Sequence, residues 1–180
     1  MKKIIYITFL ATLLFACKNN KKEEDSNIVD ANPQTTSSES SIKTIQKLTP
    51  LSNEQLKAAF PKRLYDLKLD KDPVITGQSI LGHFGGRKIS LEVTDATGES
   101  KKRAIYFLNT LNNKNFEDTA DIKYIKKERN GIATFATQYI GSHTKLEFLY
   151  KSRFYIYLLS EMNPDELWEA FDINALKNLK

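Results

Sequence analysis

The 180 residues include one cysteine, Cys17, and two histidines, His83 and His143. A single cysteine excludes an internal disulfide. The two histidines sit beside Gly85-Gly86 and Gly141-Ser142, and nothing around them has metal-ligand spacing. The glycines at 82, 85 and 86 lack the order of a dinucleotide fingerprint and the helix that would follow it, which excludes a phosphate cradle and leaves no cofactor motif. Ser79 and Ser90 have no base at readable spacing. The apolar run Ile4–Ala16 is too short to span a bilayer, which takes about 20 apolar residues. Charge of one sign is also scarce. The formal net charge is +5, of which Lys2 and Lys3 supply two, and so mild an excess does not indicate nucleic-acid binding.

The positive start at Lys2 and Lys3, the apolar run behind it and its end at Cys17 form the layout of a secretory signal. Leu14-Phe15-Ala16-Cys17 resembles the lipobox of bacterial lipoproteins, with an aliphatic residue three before the cysteine and a small one directly before it. In that family the thiol is lipidated, with palmitate-type chains, the peptide is cut before the cysteine, and the new amine is acylated. The resemblance therefore implies a signal peptide of residues 1–16, a mature chain starting at lipidated Cys17, and a membrane contact made by the anchor. The plainer alternative is an ordinary signal peptide in which Cys17 is one more small apolar residue. Lys18 stands where an aspartate retains enterobacterial lipoproteins in the inner membrane, which implies the outer membrane. Glu23-Glu24-Asp25 resembles the surface-export signals of Bacteroidota-like lipoproteins, except that two asparagines and three lysines intervene after Cys17. Facing the periplasm and facing the medium both stay open.

Residues 18–48 are polar, with Ile28, Val29, Ala31, Ile42, Ile45 and Leu48 scattered among them. Such a segment buries too little surface to offset its ordering entropy, so residues 17–48 read as lipidated cysteine plus disordered tether. Residues 49–180 are long enough for one independent core.

That region reads as an α+β domain. Ser52 and Gln55 form a capping box for a helix ending near Phe60, before Pro61. Leu64, Leu67 and Leu69 read as a ragged turn or extended lead-in. Residues 74–84 and 87–94 read as strands about Gly85-Gly86. Residues 101–112 fit helix by apolar spacing and strand by several of their residues; Ser100 as cap and Asn112-Asn113 as stop favour helix. Strands follow at 121–127, 132–140, 145–150 and 153–159, with Asn130-Gly131 the strongest hairpin signal. Asn163, Pro164 and Glu166 then open a terminal helix. The sum is an antiparallel sheet of about six strands with helices at the start, middle and C-terminus. This order of elements resembles small α+β domains of secreted proteins, including the PsbP-like type; the resemblance concerns architecture and implies no site residues.

Chemistry is sparse, and aromatic density is the unusual feature. Tyr155 and Tyr157 share one face of their strand, with Arg153 at the same parity. Lys123 and Lys126 on a neighbouring hairpin would give that face a basic rim. Tyrosine and arginine suit binding surfaces because they combine area with polar handles. The alternative is a second core layer beneath the helix of residues 101–112. Two functional classes follow. One is a lipid-anchored envelope binding or accessory protein with no evident catalysis, its partner another envelope protein and not nucleic acid. The other is a small envelope enzyme or small-molecule carrier using a pocket near His83 or His143, where a metal would need Asp95 or Glu147 as well.

Overall fold

The computed structural model describes Lys43, Ile45 and residues 48–180. The apolar start, Cys17 and most of the polar tether lie outside the described residues. All described residues belong to the compact unit Ala31–Lys180, and its class is α+β, with helices at the start, middle and C-terminus of the described chain.

Helix α1, Asn53–Ala59, begins at Ser52, whose hydroxyl accepts the Gln55 N–H at 3.3 Å while Gln55 Oε1 accepts the Ser52 N–H at 2.8 Å. This reciprocal cap satisfies two of the backbone donors that a helix start leaves open. The chain then makes a two-residue hairpin, β1 (Arg63–Leu64) and β2 (Leu67–Lys68), with Tyr65 at its tip in the left-handed region, φ 45°. What reads in sequence as a ragged lead-in is thus a small paired element. Leu64 is wholly buried and anchors it.

The main sheet has seven strands, one more than expected, because residues 74–84 fold back on themselves. Gly77, at φ 57°, separates β3 (Val74–Thr76) from β4 (Ser79–Phe84). Next come β5 (Ile89–Asp95), helix α2 (Lys101–Asn112), β6 (Ile122–Arg129), β7 (Ile132–Tyr139), β8 (Thr144–Tyr150), β9 (Phe154–Ser160) and helix α3 (Pro164–Phe171). The spatial order is β3-β4-β5-β9-β8-β7-β6, antiparallel at every step. Two meanders therefore meet where β5 pairs with β9, and α2 carries the chain from the centre of the sheet to its far edge.

Hairpin turns follow backbone chemistry. Asn130-Gly131 and Lys151-Ser152 both hold two consecutive positive φ angles, as the tight turn compatible with strand twist requires. The first pair is announced by its residue types; the second is not. Gly85-Gly86 does not close its hairpin alone. The loop runs over Gly85–Lys88 between the paired Phe84 and Ile89, and the Asp70 carboxylate accepts the N–H groups of Gly86 and Arg87, each at 2.8 Å. Ser100 makes no side-chain cap to α2 either; a short 3-10 turn, Gly98–Ser100, leads into the helix instead.

The strand period of two assigns the faces. Ile80, Leu91, Val93, Leu146, Phe148, Ile156 and Leu158 are fully buried on the face covered by α1 and α3. There Phe148 meets Trp168 and Phe171 edge-on, with ring centroids 5.3 and 5.8 Å away. Asn163 caps α3 by accepting from Asp165 and Glu166, both at 3.0 Å, with Glu166 reaching back to Asn163. The opposite face carries the tyrosines of β9.

A half-covered sheet face as candidate binding surface

Register lines up the side chains of this second face in rows across the sheet. One row runs Leu81, Glu92, Tyr157, Glu147, Phe135 and Lys126, from β4 to β6. The row on one side holds Ser79, Thr94, Tyr155 and Leu149; the row on the other holds His83, Ser90, Leu159, Lys145 and Thr137.

Helix α2 covers the first of these flanking rows. Ala104, Phe107 and Leu108 are its buried stripe, and the Phe107 ring lies 6.1 Å from that of Tyr155. Tyr155 is consequently only 7% exposed, and its hydroxyl donates to Glu147. It belongs to a core layer beneath the helix and not to an exposed tyrosine face. Tyr157 lies one row further on, past the margin of α2, and is half-buried.

The other expected members of the face separate. Arg153 precedes β9 and turns to the end of the sheet, where its Nε and Nη2 donate to the two oxygens of buried Asp95 at 3.0 and 2.9 Å. The same guanidinium donates to the carbonyls of Thr49 and Lys180, and Asp95 accepts the Leu51 N–H at 2.7 Å. Arg153 is a clasp that ties Thr49 and Lys180 to β5, because a bidentate carboxylate satisfies the guanidinium better than solvent-facing exposure does. Lys126 does lie in the Tyr157 row, but its ammonium donates to the Leu111 and Asn113 carbonyls at the C-terminal end of α2 and sits 5.4 Å over the Phe116 ring. Burial holds its pKa below the ordinary lysine value. Lys123, three residues away on a regular strand, is exposed on the opposite face.

Around Tyr157 the structure assembles residues that sequence spacing did not bring together. Glu92 lies directly opposite it on β5, and Arg103 from α2 forms an ion pair with Glu92. Tyr106, one helical turn beyond Arg103, is 71% exposed above them. With Lys102 and the edge of Tyr155 these residues line a depression of about 450 Å³. Glu147 flanks Tyr157 on the other side; burial pushes its carboxyl above the ordinary range, opposed by the hydrogen bond from Tyr155 and the charge of Lys145. Burial likewise raises the Tyr157 and Tyr155 hydroxyls, so both are protonated donors at neutral pH. The depression thus offers aromatic surface from two tyrosines, a guanidinium, a carboxylate and phenolic hydroxyls. Such a set stacks on planar or apolar groups and hydrogen-bonds polar ones. The one readable signal for it was the i, i+3 pair of Arg103 and Tyr106 on a helix and the outward parity of Glu92.

The histidines fall apart from this site and from each other. His83 on β4 faces Ser90 across the ladder, Nδ1 to Oγ 2.7 Å, so Ser90 acquires an imidazole neighbour that sequence spacing concealed. A depression of about 380 Å³ beside it is lined by Asp70, Lys71, Leu81, His83 and Arg87 among others. His143 stacks on Tyr139 at 4.5 Å and shares a hydrogen bond with Ser142. Strands β4 and β8 are separated by β5 and β9, about 14 Å at ~4.8 Å per strand. Asp95 faces the other side of the sheet, in the grip of Arg153. Among the described residues no three His, Cys, Asp or Glu side chains cluster to hold a metal ion. No helix among them is long and apolar enough to cross a membrane. No protein family, curated protein or solved structure matches the chain.

Proposed function

We propose that the chain is a lipid-anchored binding or accessory protein of a bacterial cell envelope, held at the outer membrane through Cys17 and engaging another envelope protein with the uncovered half of its second sheet face. The observation that carries the reading is the margin of α2. The helix stops short of Tyr157, and the residues left open there, Glu92, Arg103, Tyr106 and Tyr157, combine aromatic area with paired charge. Tyrosine and arginine in that combination dominate protein-binding hot spots. A polar stretch of roughly thirty residues between Cys17 and the folded domain suits capture near a membrane.

Two measurements test it. A metabolic fatty-acid probe is expected to label the native chain and to leave Cys17→Ser unlabelled; an unlabelled native chain removes the anchor. In a crosslinked pull-down from native envelope, Tyr106→Ala with Tyr157→Ala is expected to cut recovery of the partner at least tenfold with unfolding temperature unchanged. Undiminished recovery removes the face. The His83–Ser90 hydrogen bond and the adjoining depression favour a second reading, a small-molecule or hydrolytic site. Labelling of Ser90 by a fluorophosphonate would move the assignment there.

A further inference from the structure

We propose that the end of the domain built by residues 57–88 docks on an anionic phospholipid surface. The charge of the domain is distributed unevenly. Residues 49–88 hold seven Lys and Arg against Glu54 and three Asp, whereas residues 89–180 hold thirteen cations and thirteen carboxylates. The excess positive charge of the domain therefore resides in the segment after α1, the β1–β2 hairpin and the loops flanking β4.

The fold gathers these cations instead of spreading them. A groove of about 400 Å³ has Lys57, Lys62, Arg63 and Lys68 around a floor that includes Phe60 and Leu69. Lys71, Arg87 and Lys88 are exposed on the adjoining loops. The three Asp of this segment offset only part of this charge. Asp70 is engaged by the N–H groups of Gly86 and Arg87, Asp72 pairs with Lys57 at 3.1 Å, and Asp66 is exposed. The side chains of Lys62, Lys68, Lys71 and Lys88 have no ion-pair or hydrogen-bond partner among the described residues.

Exposed apolar residues lie at the same end of the domain, Val74 and Leu81 on the sheet face opposite the α1 groove. Of the five large hydrophobic residues exposed among the described ones, Tyr65, Val74 and Leu81 fall within this same segment. Tyr65 is 72% exposed at the hairpin tip, held there by a left-handed backbone. Val74 and Leu81 are cross-strand partners beside Lys71 and Arg87. An exposed tyrosine at the tip of a hairpin whose strands pair Arg63 with Lys68 suits a membrane–water interface, where the ring settles at headgroup depth and each cation meets anionic lipid. A linear polyanion would be served by a continuous charged track; here the cations surround a tip and a short apolar floor.

Lysine-acylation footprinting tests the proposal on the full chain, which the hydrophobic N-terminal region or its acyl chains hold on vesicles in either case. In vesicles containing anionic phospholipid, Lys62, Lys68, Lys71 and Lys88 are expected to label at least fivefold more slowly than in purely zwitterionic vesicles. Lys114 and Lys177 serve as controls that do not change. About 0.5 M salt is expected to abolish the protection, since screening shortens the reach of surface charge to a few ångströms. Because one cation near such a leaflet is worth about fivefold in partitioning, Lys62→Glu with Lys68→Glu is expected to remove the protection of Lys71 and Lys88. Equal labelling in both vesicle types overturns the proposal. So does protection by soluble polyphosphate in zwitterionic vesicles without protection by anionic lipid, which would reassign the end to a polyanion.

Discussion

Glu147 shows what burial does to a single residue on the candidate face. Its carboxyl, 4.5 in the open, is raised by burial between β7 and β9, while Tyr155 donates to it. A carboxyl whose folded pKa is raised binds its proton more tightly when folded than when unfolded. Its contribution to stability is therefore favourable at low pH and declines as pH rises from the ordinary value through the raised one. Asp165 works in the opposite sense. Hydrogen bonds from Lys127 and then Arg129 lower its pKa, so its stabilising contribution is present above the ordinary 3.8 and is lost as pH falls. The expected result for Glu147→Gln, which keeps an acceptor for Tyr155, is an unfolding temperature that gains on the wild type as pH rises past the ordinary carboxylate value of 4.5. Thermal unfolding at a series of pH values checks it; a constant difference would place Glu147 in solvent-like surroundings. This residue was legible in the sequence only as one of two acids near a histidine. Its real neighbours, Tyr155 and Tyr157, come from a strand whose register is fixed by the hydrophobic alternation of the other face.

At the scale of elements, local signals that act within a few residues were readable, and contacts across the sheet were not. The Ser52–Gln55 and Asn163–Glu166 boxes, the Asn130-Gly131 turn and the alternation Ile89, Leu91, Val93 all appear where their residue types demand. Residues 74–84 hide a hairpin because a turn at Gly77 interrupts one apolar run without a change of composition. Residues 63–68 pair because Leu64 is drawn into the core, which no short window reveals. The packing of α1 on β4 shows the same dependence on distance. A Cβ at Gly82 would lie 2.7 Å from a Phe60 ring carbon and 2.8 Å from a Leu69 methyl. Overpacking of this kind costs about 1–3 kcal/mol, so Gly82→Ala is expected to lower the unfolding free energy by that amount, read as a lower denaturant midpoint with the slope unchanged. An unaltered midpoint would mean that α1 and β2 are loosely seated.

For the whole molecule, the Arg153–Asp95 clasp gathers distant parts of the chain. Thr49, Leu51 and Lys180 are all tied to it at one end of β5 and β9. These residues lie at the end of the sheet away from the Ser90–Leu159–Lys145 row and the basic hairpin. Removing one partner of a buried pair leaves the other charge stranded at a cost of about 3–5 kcal/mol. Arg153→Met is expected to lose that much stability and to speed amide exchange at Leu51. Adding Asp95→Leu is expected to restore part of the stability. A loss below 1 kcal/mol would mean the pair is solvated.

The binding-face reading rests on Tyr157 meeting a partner that the helix-covered side never touches. A photo-crosslinking residue placed at position 157 of the full chain in native envelope is expected to give a discrete adduct, abolished when Tyr106→Ala is added. The same residue at position 169, exposed on α3 behind the sheet, is expected to give none. Equal adducts from both positions, or none from position 157, would contradict it.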